Sequence, residues 1–266
     1  MKIPIFQVDA FTGEVFRGNP AAVCVLQDWL DDATMLTIAA ENNLSETAFL
    51  VRQSGGYKLR WFAPKYEVQL CGHATLASAL VVFSRIDSSA SSATFETRSG
   101  SLTVSRDGDL MLMDFPAIPL KDCPSPPRAV LDGIGPRPRV VLRSGANAPE
   151  GNYFVVYEDE ADLRDLQIDF GLLEDLHPSG VCVTAPGRDS DFVSRYFAPS
   201  FGIPEDPVTG STHCSLALYW SERLGKKSLH ARQLSSRGGE LWAEPQGERV
   251  LLKGRAVLYM EGTIDI

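Results

Sequence analysis

The chain has 266 residues, of which 44% are hydrophobic and 22% charged, with a formal net charge of -9 and a pI near 5.0. That length fits two domains of ordinary size, and the acidic balance argues against a nucleic-acid surface, which needs concentrated Lys and Arg. No apolar run approaches the roughly 20 residues of a membrane span, so the expected partner is a small molecule rather than a membrane or a nucleic acid.

Met1-Lys2-Ile3-Pro4 leads straight into an alternating stretch, without the basic, apolar and small-residue pattern of a secretory signal, so a cytoplasmic protein is expected. Lys2–Asp9 reads as a strand, and Gly18-Asn19-Pro20 introduces the apolar run Ala21–Leu26. Asp32–Asn42 has helical spacing, and Glu46 stands at the entrance to the apolar strand that follows. Tyr57–Phe62 is the next strand. Cys71-Gly72-His73-Ala74-Thr75 then starts a run that is hydrophobic nearly all round to Phe83, as expected of a helix inside a curved sheet. Ser101–Ser105 and Leu110–Phe115 read as further strands. The stretch Pro116–Pro127 carries five prolines, which no central strand or helix interior accepts. A linker over 116–128 therefore separates an N-terminal lobe, 1–115, from a C-terminal lobe, 129–266, with the last strand Ala256–Ile266 assignable to either.

The two halves follow one plan. Arg60-Trp61-Phe62-Ala63-Pro64 returns as Arg195-Tyr196-Phe197-Ala198-Pro199, about half the chain later. Each copy is followed by a connector, a Gly among small residues, and an apolar helical run: Gly72 leads into His73–Phe83, Gly210 into Ser211–Leu224. Gly18-Asn19 in the first half faces Gly151-Asn152 in the second. The expected fold class is α+β, with two pseudo-symmetric lobes, each a curved barrel-like sheet around a central helix.

Several residues could carry chemistry. The helix starts at Gly72-His73 and Gly210-Ser211 would present free backbone N–H groups and the positive end of a helix dipole, a setting that holds a carboxylate and also an ordinary cap. Glu46 is read either as a turn residue paired with a surface cation or as a general acid/base; the matching stretch Leu176–Val181 has no acid, and a repeat with one acid suggests one proton carrier. Asp206 precedes Pro207 and is held extended, free to point into a cleft or to close a turn. His73 could orient substrate or shuttle a proton, or be a structural residue, and His213 is read as structural.

Cys71 sits where a thiol pKa falls, but it has no thiol partner, and Asp206-Pro207 stands at the matching point of the second half. The five cysteines form no C-x-x-C pair and are expected as free thiols. The four histidines do not cluster with acids at metal-ligand spacings, so no metal is expected. No nucleophile elbow, dinucleotide fingerprint or phosphate-binding loop occurs, and serine-triad, nicotinamide, flavin and ATP chemistry are disfavoured. No cofactor is expected.

The ordered blocks Val8-Asp9-Ala10-Phe11, Gly18–Val23, Ser45–Phe49, Phe62-Ala63-Pro64, Cys71–Thr75 and Glu205–Ser211 resemble the PhzF-like isomerase family of phenazine biosynthesis, itself similar in fold to diaminopimelate epimerase. The resemblance runs nearly end to end. It implies an active site between two lobes, a homodimer, and a glutamate that carries a proton from one carbon to another, here Glu46. It further implies that His73, Asp206, Gly210 and Ser211 line the pocket and that the backbone at Gly72-His73 and Gly210-Ser211 holds a substrate carboxylate. Relative to diaminopimelate epimerase, the chain keeps Cys71 and places Pro207 where the second cysteine is sought, which disfavours two-thiol epimerisation. A single carboxylate returns the proton on the face it took it from, which favours an allylic shift over inversion. The reading is thus a cofactor-independent isomerase acting on a small carboxylate. The alternatives are a non-catalytic carboxylate-binding protein of the same fold and an epimerase using Cys71 and Asp206.

Overall fold

Parallel neighbours in a sheet need a long crossover, and the positions of the helices in this chain follow from that requirement. The computed structural model describes residues 1–135, 138–145 and 151–266. The chain divides into two units, Met1–Asp114 with Lys253–Ile266, and Phe115–Leu252.

The first unit contains β1 (Lys2–Ala10), β2 (Asn19–Leu26), α1 (Asp32–Asn42), β3 (Glu46–Gln53), β4 (Gly56–Phe62), β5 (Glu67–Val68), α2 (Gly72–Val81), β6 (Ser92–Thr97), β7 (Gly100–Asp107) and β8 (Leu110–Pro116). A closing strand, Ala256–Asp265, lies antiparallel to β1. From there the ladder runs β1, β2, β3, β4, β6, β7, β8, antiparallel except at β2–β3 and β4–β6. Those two parallel joints are the ones bridged by α1 and α2. The first is well delimited: Asp31 caps it by accepting from the Thr34 N–H at 2.9 Å, and Asn43 ends it in the left-handed region at φ 49. The second is built from small and apolar residues and is buried along nearly its whole length, which lets it run through the core of its unit.

The second unit contains β9 (Leu120–Asp122), α3 (Arg128–Gly133), β10 (Val140–Ser144), β11 (Tyr153–Val156), α4 (Glu160–Arg164), α5 (Phe170–Glu174), β12 (Val181–Pro186), β13 (Phe192–Ala198), β14 (Ile203–Asp206), α6 (Gly210–Leu224), β15 (Leu229–Gln233), β16 (Gly239–Gln246) and β17 (Arg249–Gly254). Its ladder runs β9, β10, β11, β12, β13, β15, β16, and the parallel joints are β11–β12 and β13–β15. The strands β10 to β16 thus repeat the order and sense of β1 to β7. One apolar core of this unit packs on α6, where Trp220 stacks on Phe192 at 5.8 Å and donates its indole N–H to Thr184 Oγ1 at 2.9 Å, and another buried cluster joins Val130, Leu163, Leu173, Val183 and Phe197.

The sequence repeat has a physical counterpart. Arg60 on β4 makes two hydrogen bonds of 2.7 Å to Glu67 on β5, and Arg195 on β13 makes bonds of 2.7 and 3.1 Å to Glu205 on β14. Each guanidinium also lies 5.0 Å from the ring of the Phe two residues on, Phe62 or Phe197. Each clamp fixes the short strand that leads into a buried helix.

The proline-rich stretch differs from the expected linker. Residues 116–128 belong to the second unit, and the gap between Pro119 and Pro124 is just long enough for β9, which pairs antiparallel with β10. Proline bars a long central strand but leaves room for three residues between two of them. The closing strand goes to the first unit because β1 offers it a full antiparallel ladder from Lys2↔Asp265 to Ala10↔Ala256.

Candidate active site

Glu46 is the first residue of β3, opposite Ala21 of β2. Its Oε2 stands 3.1 Å from His73 Nε2 in the first turn of α2, with the two side chains 12% and 7% exposed. Both atoms are buried, and among the described residues no other hydrogen-bond partner reaches either of them. The other ring nitrogen, His73 Nδ1, lies 3.3 Å from Asn19 Nδ2 and 3.5 Å from Cys71 Sγ. Asn19, Glu46, Cys71 and His73 therefore form one buried cluster around an imidazole.

Burial works against the imidazolium, but the neighbouring Cys71 sulfur and Glu46 carboxylate outweigh it and hold the His73 pKa well above an ordinary histidine's. The Cys71 thiol is itself pushed up to about 11, first by burial and then by the Glu46 charge, so it is protonated near neutral pH. Glu46 is therefore the charge that sustains the imidazolium. Tyr66, in the turn between β4 and β5, feels the same carboxylate: burial first and Glu46 second raise its hydroxyl's pKa. The ligating atoms of Glu46, Cys71 and His73 lie within 4.8 Å of one another. Glu46 and Cys71 face opposite nitrogens of one ring, however, which suits proton transfer along the ring better than shared coordination of one cation.

The N-terminus of α2 is preceded by Cys71, which makes no side-chain cap bond, so the first backbone N–H groups at Gly72 and His73 are not claimed by a cap. The same holds at α6. Its N-cap is Thr209, whose hydroxyl donates to Asp206 Oδ2 instead of capping the helix, while Gly210 is buried and Ser211 exposed. Gln233 braces this turn: its Oε1 accepts from the Thr209 N–H at 2.9 Å and its Nε2 donates to the Asp206 carbonyl at 2.7 Å. His213 donates from Nδ1 to the Thr209 carbonyl at 2.7 Å, and burial lowers its pKa to about 4, which makes it a neutral structural residue.

Of the residues expected from sequence, Glu46, Gly72 and His73 come together in the first unit, and Asp206, Gly210 and Ser211 share one turn in the second. The register corrects one equivalence. Aligning Arg60 with Arg195 and Glu67 with Glu205 places Thr209, not Asp206-Pro207, opposite Cys71 in the repeat, because each lies four residues beyond its glutamate. The same alignment puts Gly180 at the position of Glu46, since Thr47 pairs with Phe62 as Val181 pairs with Phe197. A Cβ there would meet the Tyr196 hydroxyl at 2.3 Å, so a side chain at this position would displace Tyr196 from its bond to Asn152. Asn19 was legible in sequence only as a marker of the repeat, and its approach to His73 depends on pairing between distant strands.

Among the described residues no helix is long and apolar enough to cross a membrane. The family model described as "Phenazine biosynthesis-like protein" matches residues 8–262. An uncharacterized isomerase of Pseudomonas aeruginosa is 49% identical over 266 residues, covering 100% of both chains. The crystal structure of a phenazine biosynthesis protein of the PhzF family from Enterococcus faecalis superposes with a TM-score of 0.93 at 42% identity over 100% of both chains. A "predicted epimerase" of Pseudomonas aeruginosa shares the fold, with a TM-score of 0.75 at 20% identity over 98% of this chain and 99% of its own. With one shared architecture from end to end and relatives that carry the isomerase class, the chain is an isomerase and belongs to the phenazine biosynthesis-like, or PhzC-PhzF, family.

Proposed function

We propose that this isomerase moves a proton between carbons of a small carboxylate substrate without a cofactor, with Glu46 as the general acid/base. The observation that carries this reading is the buried Glu46 carboxylate held 3.1 Å from His73 Nε2 beside the uncapped N-terminus of α2. In the first step the substrate C–H bond breaks, a Glu46 O–H bond forms, and the electron pair spreads into the adjoining alkene or carboxylate. In the second step the Glu46 O–H bond breaks and the proton joins a different carbon. His73 Nε2 faces Glu46 Oε2 at 3.1 Å and orients the carboxyl group for the transfer. The backbone N–H group at Gly72 is assigned to the substrate carboxylate, and in the second unit Asp206 accepts from the Thr209 hydroxyl and so fixes the turn that presents Gly210 and Ser211.

The test is solvent-deuterium incorporation, read by NMR and mass spectrometry, into a panel of cyclic dienyl carboxylates and amino acids. Glu46→Gln is expected to lose roughly 10²- to 10⁴-fold in exchange rate, the usual share of a general acid/base. Asp206→Asn and His73→Ala are expected to reduce exchange less. Full exchange by Glu46→Gln with loss in Cys71→Ala would favour the epimerase reading instead. The homodimer belongs to the same proposal and is checked by light scattering in solution.

A further inference from the structure

We infer that Asn19 is a positioning residue for His73, holding the imidazole so that its Nε2 faces Glu46; the inference rests on the reading of Glu46 as proton carrier. Asn19 is fully buried, and its Nδ2 lies 3.3 Å from His73 Nδ1. The strand register explains how it gets there. Ala21 of β2 is opposite Glu46, and alternate residues of a strand share a face, so Asn19 and Glu46 project from the same side of the sheet. They reach the two nitrogens of one ring.

The backbone before Asn19 is built for that placement. Gly18 has φ +65, and a Cβ on it would stand 2.1 Å from the Ala10 carbonyl oxygen, so only glycine lets the chain turn into β2 with Asn19 as its first residue. Asp9 steadies the same loop by accepting the Phe16 N–H at 2.8 Å.

The second unit supplies an internal comparison. There Asn152 also follows a glycine, but its Oδ1 accepts the Gly180 N–H at 2.8 Å and the Tyr196 hydroxyl at 3.1 Å. Gly180 is the counterpart of Glu46, and Ser211 is the counterpart of His73. Where acid and imidazole are missing, the asparagine ties strands together; where both are present, its amide faces the ring. A carboxamide also suits the task chemically. It donates from Nδ2 to an unprotonated Nδ1, and by turning over it accepts from a protonated one, so it holds the ring in both protonation states. Among the described residues, the titratable groups that face the ring include Glu46 from β3, Cys71 from the start of α2 and, through Glu46, Tyr66 from the β4–β5 turn.

The test is NMR of ¹⁵N-histidine-labelled protein, which reports the tautomer and titration midpoint of each ring. With four histidines in the chain, His73 is assigned by the signal lost in His73→Asn. Asn19→Asp is expected to raise the His73 midpoint by about one pH unit or more, because a carboxylate replaces a neutral amide at Nδ1. Asn19→Leu and Asn19→Ser are expected to change the tautomer ratio of the neutral ring, read above the His73 midpoint, as the ring turns toward Cys71. A His73 tautomer and midpoint unchanged in Asn19→Ser, or no rise in Asn19→Asp, would overturn the inference; these two polar variants serve if Asn19→Leu does not fold. No substrate is needed for this readout. Failure of the Asn19 role therefore stays separate from failure of Glu46 in deuterium exchange.

Discussion

Replacing Glu205 by Ala tests whether the duplicated Arg–Glu clamps hold the short strands that carry the site turns. In the wild type the Arg195 and Glu205 side chains are 15% and 20% exposed, and the guanidinium makes two bonds to the carboxylate and one of 2.8 Å to the Leu163 carbonyl. Removing one partner of a buried pair costs about 3–5 kcal/mol, because the other charge is left without its counterion. The Leu163 bond and the partial exposure place this case at the lower end, about 3 kcal/mol. In a protein of this size that lowers Tm by roughly 6–12 °C. The assay is urea unfolding alongside thermal unfolding, with a lower midpoint and an unchanged slope expected. The control is the double change Arg195→Met and Glu205→Leu, which removes both charges together and should recover most of the loss. A loss below about 1 kcal/mol in the single variant, the scale of an exposed pair, would refute the view that this pair is a desolvated clamp.

The raised His73 pKa makes stability depend on pH in one direction. Its contribution is fully present below the unfolded value of 6.5 and is lost as pH rises through the higher folded value, so thermal stability of the wild type should fall across that window more steeply than that of Glu46→Gln. Identical pH profiles for the two proteins would contradict the pairing. Gly18→Ala should destabilise by more than about 1 kcal/mol in urea unfolding, since both the left-handed backbone and the Ala10 carbonyl exclude a Cβ; a change within about half a kcal/mol would mean that the loop can shift. Thiol reagents at neutral pH should label half-buried Cys123 first and spare Cys71, Cys24 and Cys214, which burial places at about 11, 12 and 12; mass mapping of the labelled native protein decides this. Cys71→Ala should keep its deuterium exchange.

Local chemistry made much of this protein readable in advance. The helix over Asp32–Asn42, the buried runs after Gly72 and Gly210, and the Arg60/Arg195 repeat depend on nearest neighbours, periodicity and glycine, all of which are written along the chain. Family resemblance pointed to Glu46 and His73, and the absence of an acid from Leu176–Val181 was visible without coordinates. Tertiary structure decided the rest, because strand pairing is a long-range choice that no local pattern encodes. It gave the closing strand to β1, cut β9 from between two prolines, and aligned Cys71 with Thr209. It also set Asn19 against an imidazole 54 positions away in sequence, an approach that exists only once β2, β3 and α2 share one core.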